Sequence, residues 1–299
     1  MKLQSASPLV SVVLPVFNAQ EYLVEAIESI LGQTFKNYEL IIINDGSEDN
    51  TQKLLEKLEE KDERILVFHR KNHGLVDSLN YGIQMSKGKY IARMDADDIS
   101  LPDRLLEQVS FLESEADIDI VGCDYSLIDQ NGEVKRTIKV PKTEQEIIFS
   151  LCYSVPFAHP SVLIRKKIFD KFTYRKSPIE DYLLWTDIFT SSNFANLDKV
   201  LFLYRHQYGS SFSDSKRLEM IAEEKIISRH FISMHYNDIK RHLINSSSSV
   251  QGKPRALLMF CFNSKVEWLV LMNNYRSFVK LIFQYSRTIL RKLYWLLPK

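Results

Sequence analysis

The chain has 299 residues, of which 45% are hydrophobic, 26% charged and 11% aromatic, and its formal net charge is +1. That composition supplies a full core and excludes disordered, collagen-like and disulfide-scaffold classes. Nine Gly and nine Pro are about half the usual share of each, which favours a helix-rich body over a turn-rich sandwich or barrel.

Residues 10–17 read VSVVLPVF, a β-branched apolar run of the kind buried on both faces of a sheet. Residues 21–31 then space Leu23, Ala26, Ile27, Ile30 and Leu31 three and four apart, which predicts an amphipathic helix. A strand over 39–44 ends at Asp45-Gly46-Ser47, followed by a polar helix over 51–61 and a strand over 65–68. The series continues with a helix over 75–85 and a strand over 90–94. Short β-α-β connections of this kind imply a right-handed, parallel arrangement. Two strands lie between 118 and 140, joined at Asn131-Gly132. A helix follows over 144–151, then Phe157-Ala158-His159-Pro160-Ser161, a strand over 162–165 and a helix over 166–171. Glu180-Asp181 and Trp185 lie in 178–191, a last strand is expected over 201–204, and 216–244 is helical. Ser246–Ser249 with Gly252 and Pro254 read as a linker.

In an open parallel sheet, ligands bind beyond the carboxyl ends of the strands. Three such ends carry polar groups: residues 15–18, Asp45-Gly46-Ser47, and Asp95-Ala96-Asp97-Asp98. Any one of them reads equally as a solvated turn or cap; three together point to a site. Three carboxylates within four residues repel unless a cation relieves them, and hard oxygen ligands suit Mg²⁺ or Mn²⁺ engaged with a phosphate-bearing substrate. Neither GxGxxG nor GxxxxGK[ST] occurs, which removes the main support for hydride transfer and ATP hydrolysis. Cys123, Cys152 and Cys261 are far apart with no CxxC pair, so neither a zinc site nor a disulfide framework is expected.

The stretch SVVLPVFNAQEYLVEAIESILGQTFKNYELIIINDGSEDNT, with NHGLVDSLNYGIQMSKGKYIARMDADD after it, closely resembles the inverting family 2 glycosyltransferases of bacterial surface-polysaccharide type, and the likeness runs over about residues 9–210. It implies an α/β GT-A nucleotide-sugar fold: a mostly parallel central sheet flanked by helices, with a helical C-terminal extension. It also implies a metal-dependent transfer from a nucleotide diphosphate sugar, a UDP-hexose or UDP-N-acetylhexosamine, with inversion. Pro15, Phe17, Asn18 and Asp45 would surround the base and ribose. Asp95 would lie near ribose or sugar and Asp97 on Mn²⁺ or Mg²⁺, with Asp98 extending the motif. Asp181 would be the base for the acceptor hydroxyl, with Glu180 as second choice. His159 either lines the acceptor pocket or is a satisfied structural histidine. Arg205 and His206 are candidates for a diphosphate or, for His206, a metal contact, and equally for a plain surface role; Arg93 reads as an internal counter-charge. The Gln-x-x-Arg-Trp signature of processive relatives is missing, so one sugar per encounter is expected. The competing readings are a catalytically silent nucleotide-sugar or glycan binding module and a sugar nucleotidyltransferase, whose Gly-rich basic N-terminal loop is absent.

The expected organisation is a catalytic domain over 1–215, a helical extension and linker over 216–249 and a basic amphipathic tail over 250–299. The tail carries nine Lys or Arg against Glu267 alone, leaving 30 basic and 37 acidic side chains of the chain's 39 and 38 in residues 1–249. Apolar residues near helical spacing among these bases fit helices lying on an anionic membrane surface. A helical hairpin packed on the protein or a dimer contact is the alternative. The acidic body argues against nucleic acid. With no secretory signal and no long apolar run, a cytoplasmic protein peripheral on the inner face of the cell membrane is expected, with a saccharide or lipid-linked oligosaccharide as acceptor.

Overall fold

The strand β1 (Val10–Val16) is buried along its whole length, and so is β2 (Tyr38–Asn44), its parallel neighbour. Both faces are covered because each connecting segment is a helix. On one side Val10, Val12, Leu14, Leu40 and Ile42 join the core formed with α1 (Leu23–Leu31) and α2 (Thr51–Glu59). On the other lies α3 (Leu75–Met85), brought close by Gly82, where a Cβ would stand 2.6 Å from Val13 Cγ1. This computed structural model describes residues 7–152, 154–206 and 214–245.

Nine strands among the described residues form one mixed sheet, ordered β3-β2-β1-β4-β8-β6-β9-β5 with β7 on β6. Its first four members, completed by β3 (Ile65–His69) and β4 (Tyr90–Arg93), are parallel. Beyond β4 the sheet mixes directions: β8 (Leu163–Arg165) runs antiparallel to β4 and to β6 (Ile120–Ile128), while β9 (Phe194–Arg205) is parallel to β6. The two-residue β5 (Ile99–Ser100) and the hairpin strand β7 (Val134–Ile138) pair antiparallel with β9 and β6. Gly132 turns that hairpin at φ 81°.

The expected elements up to residue 94 recur within two residues of their predicted ends. Two differ later. β9 begins at Phe194, well before residue 201, because its first half carries Asn196, Asp198 and Lys199 and shifts register against β6 near Asp124. The helix α4 (Arg104–Ser114) lies outside the expected elements although Leu105, Val109 and Leu112 recur four and three apart on its buried face, which also includes Arg104 and Gln108. The polar side chains of that face work as ties. Arg104 Nη1 donates to the carbonyls of Arg93 (3.1 Å) and Pro160 (2.9 Å), and Gln108 Nε2 to those of Ser161 (2.7 Å) and Val121 (3.1 Å). The segment predicted as a helix from Lys166 is a 3₁₀ turn, Lys166–Asp170.

The chain divides into two compact units, Met1–Ser228 and Arg229–Lys299. The first also contains α5 (Glu144–Leu151) and α6 (Glu180–Ile188). The helix α7 (Asp214–Asn245) leaves helical geometry at His235, within the second unit. Among the described residues no helix is long and apolar enough to cross a membrane. The linker and the basic tail read over 250–299 lie outside the described residues.

Candidate active site

The chain passes from β1 through β2 to β3 on one side, then returns with β4 on the other side of β1. Ligand crevices form at such a switch point. Here the two strands part after Val13↔Arg93, with Met94 N–H reaching Val13 O at 3.1 Å. Pro15 lies just beyond that last pair, still opposite Ile43 of β2, where it has no N–H to leave unpaired.

The loops after β1 and β2 are bound to each other. Asn18 adopts φ 49°, a left-handed conformation that Asn tolerates, accepts from Glu48 N–H at 2.8 Å through its side chain and donates its own N–H to Ser47 Oγ at 3.0 Å. Asp45 is buried, its carboxylate accepting the backbone N–H groups of His73 (3.0 Å) and Gly74 (2.8 Å). Gly46, at φ 79°, allows this approach, for a Cβ there would lie 2.8 Å from Asn72 N. Phe17 projects from the rim with 49% of its surface exposed. Thus Pro15, Phe17, Asn18 and Asp45 share one corner, and each oxygen of Asp45 retains a lone pair beyond its backbone bond.

At the end of β4, ligand atoms of Asp95, Asp97 and Asp98 lie within 4.8 Å of one another. Arg93, itself buried, pairs with Asp95. Burial and the charge of Asp95 push the Asp97 carboxyl up to about 6, and burial with both neighbours drives Asp98 well above the ordinary carboxylate range. Asp98 accepts Arg205 N–H at 2.7 Å on Oδ1, whereas its buried Oδ2 has no hydrogen-bond partner. An all-carboxylate set with an orphaned buried oxygen and protonation-prone members fits a hard divalent cation.

Arg205 occupies an internal position instead of a surface one. Its guanidinium donates to the carbonyls of Asp97 (2.7 Å), Asp129 (2.9 Å) and Gln130 (3.1 Å), pairs with Glu25 of α1 and stacks 4.3 Å from the Tyr22 ring. It thereby ties the acidic turn to the β6–β7 hairpin and to α1. His206, the next residue, is exposed, donates its N–H to Ile128 O at 2.8 Å and is not a member of the carboxylate cluster.

A second acidic group stands at the first turn of α6. Burial, then the neighbouring Asp181, raises Glu180 to about 7; Asp181 is also raised by burial, against the opposing N–H of Tyr182, which donates to it at 2.7 Å. The fields of Arg93 and Asp95 reach both carboxyls, so the acid pair and the turn after β4 share one electrostatic neighbourhood. His159 is buried, its Nε2 2.8 Å from the Tyr174 hydroxyl and its Nδ1 3.7 Å from Glu180 Oε1. Burial and the charge of Arg93 keep its imidazole neutral. Tyr174 is in turn held by Asn80 of α3, which accepts its N–H at 3.0 Å and donates to its carbonyl at 2.9 Å. Sequence reasoning missed Tyr174, Asn80 and Glu25, which stand alone among ordinary polar residues and carry no motif.

The model of the family described as Glycosyl transferase family 2 matches residues 11–173, more than half of the chain. The chain belongs to glycosyl transferase family 2. An uncharacterised glycosyltransferase of Haemophilus influenzae is 33% identical over 261 residues, spanning 82% of this chain and 80% of its own. Among solved structures, S. aureus TarS 1–349 in complex with UDP-GlcNAc superposes with a TM-score of 0.57 at 19% identity, covering 85% of this chain and 81% of that one. The mannosyltransferase PcManGT from Pyrobaculum calidifontis, in complex with GDP-Man and Mn²⁺, gives 0.58 at 13% identity over 93% and 81%. These neighbours share the α/β fold. As a family 2 member the protein is a glycosyltransferase.

Proposed function

We propose that this glycosyltransferase is metal-dependent and inverting, moving a hexose or N-acetylhexosamine from a UDP-sugar to a saccharide acceptor, lipid-linked, in the building of a surface polysaccharide. The observation that carries the reading is the meeting, around Arg93, of the carboxylate cluster after β4 with the Glu180–Asp181 pair. One group suits a diphosphate neutralised by a cation, the other an acceptor hydroxyl that must lose a proton. Asp97 and Asp98, with Asp95 beside them, would hold Mn²⁺ or Mg²⁺, which would supply Lewis-acid neutralisation of the leaving diphosphate. The corner formed by Pro15, Phe17, Asn18 and Asp45 would take the base and ribose, Phe17 offering an exposed ring and Asp45 its remaining lone pairs.

The transfer is a single displacement. The acceptor oxygen bonds to C1 of the sugar as the bond from C1 to the diphosphate oxygen breaks, and Asp181 takes the hydroxyl proton. Attack from the face opposite the diphosphate inverts C1 and needs one carboxylate base and no covalent intermediate. The basic tail supports a cytoplasmic enzyme held on the inner face of the membrane, with each base near an anionic surface worth about 1 kcal/mol.

The test is nucleoside diphosphate release from UDP-, GDP- and dTDP-sugars, with and without Mn²⁺, by the wild type and Asp97→Ala. Release selective for a UDP-sugar, dependent on metal and absent in the variant is the expected result. Selectivity for a GDP-sugar, as the PcManGT complex would suggest, replaces the donor; failure of any donor or diphosphate to bind removes the site. Vesicles containing anionic lipid should retain the full chain and release a chain ending at residue 249.

A further inference from the structure

Three polar groups on three segments meet at the acid pair: the buried Tyr174, the buried His159 in the 3₁₀ turn His159–Ser161, and the partly buried Glu180 on α6. The imidazole is fixed from several sides. Its ring stands 5.9 Å from Trp185, nearly perpendicular to it, and 5.4 Å from Tyr174. Its turn is tied to α4 through the bonds from Arg104 and Gln108. Tyr174 is registered on α3, a helix packed on β1 and β2, through both bonds of Asn80. A side chain held this firmly between a hydroxyl and a carboxyl presents its proton in a set direction.

The neutral ring carries one proton, and the two placements differ in consequence. With the proton on Nε2, the imidazole donates to Tyr174 and turns the Nδ1 lone pair toward Glu180, which suits a protonated carboxyl. With the proton on Nδ1, Tyr174 donates its hydroxyl proton to Nε2 and the ring offers N–H to an ionised carboxylate. Burial pushes the Tyr174 phenol far above its ordinary range, so the hydroxyl carries its proton in both arrangements and is able to donate it to Nε2 in the second. The 3.7 Å gap to Glu180 is of the length that closes when a catalytic site takes up substrate.

We propose that His159, steadied by Tyr174, is a positioning residue for the Glu180–Asp181 pair: its Nδ1–H is directed at the ionised Glu180 carboxylate and keeps the pair in the charge state in which Asp181 accepts the acceptor proton. The inference rests on Asp181 as base. The charged and titratable groups facing Glu180 are Asp181 on its own helix, Arg93 of β4 and Asp95 after it, with His159 and Tyr174 completing the set. Arg93 favours ionisation and the two aspartates oppose it, leaving the imidazole as the directional contact.

The experiment compares the wild type, His159→Phe, His159→Asn and Tyr174→Phe, full chains throughout, in the pH profile of kcat/KM and in ¹⁵N NMR of histidine-labelled protein. Asn places an amide N–H near the position of Nδ1, so it restores the donor without the ring. The expected result is an acid limb raised by about one pH unit in His159→Phe, about tenfold in kcat/KM on that limb, and returned toward the wild-type position in His159→Asn. The wild type should show the Nδ1–H tautomer at pH 8, and Tyr174→Phe a mixture of both. An Nε2–H tautomer at pH 8, or a limb that stays in place in both His159 variants, overturns the proposal. The tautomer is read without turnover, whereas loss of the base assignment would appear as full activity in Asp181→Asn, so the two failures are distinguishable.

Discussion

Asp45 is a buried carboxyl and Glu180 a partly buried one, and their surroundings are opposite. Asp45 receives two backbone N–H groups from the loop before α3. Glu180 lies in a partly buried place where burial and Asp181 raise it to about 7. The contrast extends to the halves of the sheet that carry them. The parallel half presents strand tips whose loops are bonded to one another; the mixed half holds its acids with polar groups drawn from distant segments. On the proposed roles, a binding carboxyl such as Asp45 is satisfied in the protein alone, while the pair that contains the proposed base Asp181 is left incomplete, at some expense in stability.

The largest expected effect lies on the incomplete side. Asp181→Asn keeps shape and removes the proton acceptor, so kcat should fall by about 10²- to 10⁴-fold while donor affinity, read by calorimetry, stays within error. A parallel loss of donor binding would mean that the acid pair serves the donor, and the division between the halves would fail.

Glu180→Gln tests the stability side of the same contrast. A carboxyl raised from 4.5 to about 7 in the folded state binds protons more tightly there than in the unfolded chain. Its contribution is therefore fully present below pH 4.5 and lost as pH rises through 7. The neutral amide is exempt, so the variant should gain on the wild type between those values, by about 3 kcal/mol at most, in urea melts at pH 4.5, 6 and 8. Metal-free protein is needed, because Asp97 and Asp98 slope in the same direction.

Gly82→Ala probes how tightly the parallel half is built. The added methyl would meet Val13 at 2.6 Å inside a layer of helix on strand, and overpacking of that kind costs about 1–3 kcal/mol. The Tm should drop with the acid limb of kcat/KM unmoved, which separates scaffold from chemistry.

The same contrast governs what could be read from sequence. Runs such as VSVVLPV and YELIIIN are legible because strands buried on both faces need apolar residues at every position. The three polar strand ends are legible because the parallel half must place its loops together. In α4 the buried Leu105, Val109 and Leu112 recur four and three apart, so the helix itself is legible, whereas nothing in that spacing announces that Arg104 and Gln108 share the face and bond to carbonyls 11 to 56 residues away. The first half of β9 is masked by Asn196 and Asp198 for a related reason, Asn196 donating to Pro141 O at 2.8 Å and Asp198 pairing with Lys139. Asp181 and Glu180 could be named from a local motif. Their partners Tyr174 and Asn80 could not, since what selects them is a meeting of segments far apart in the chain.

Asp45→Asn matches Gly82→Ala in expected size and is the change that sharpens the comparison most. An amide at this position keeps one oxygen for His73 or Gly74 but turns an NH₂ group against the other N–H. One hydrogen bond is replaced by two donors facing each other in a buried place, a change worth about 1–3 kcal/mol of destabilisation. Chemically it is the same substitution, a carboxyl made neutral, as Glu180→Gln, yet above pH 7 the two should move stability in opposite directions. Paired urea melts at pH 8 read the sign directly. Destabilisation by both would mean that Glu180 has directed donors strong enough to offset its burial. Stabilisation by both would mean that the loop after β3 holds Asp45 under strain.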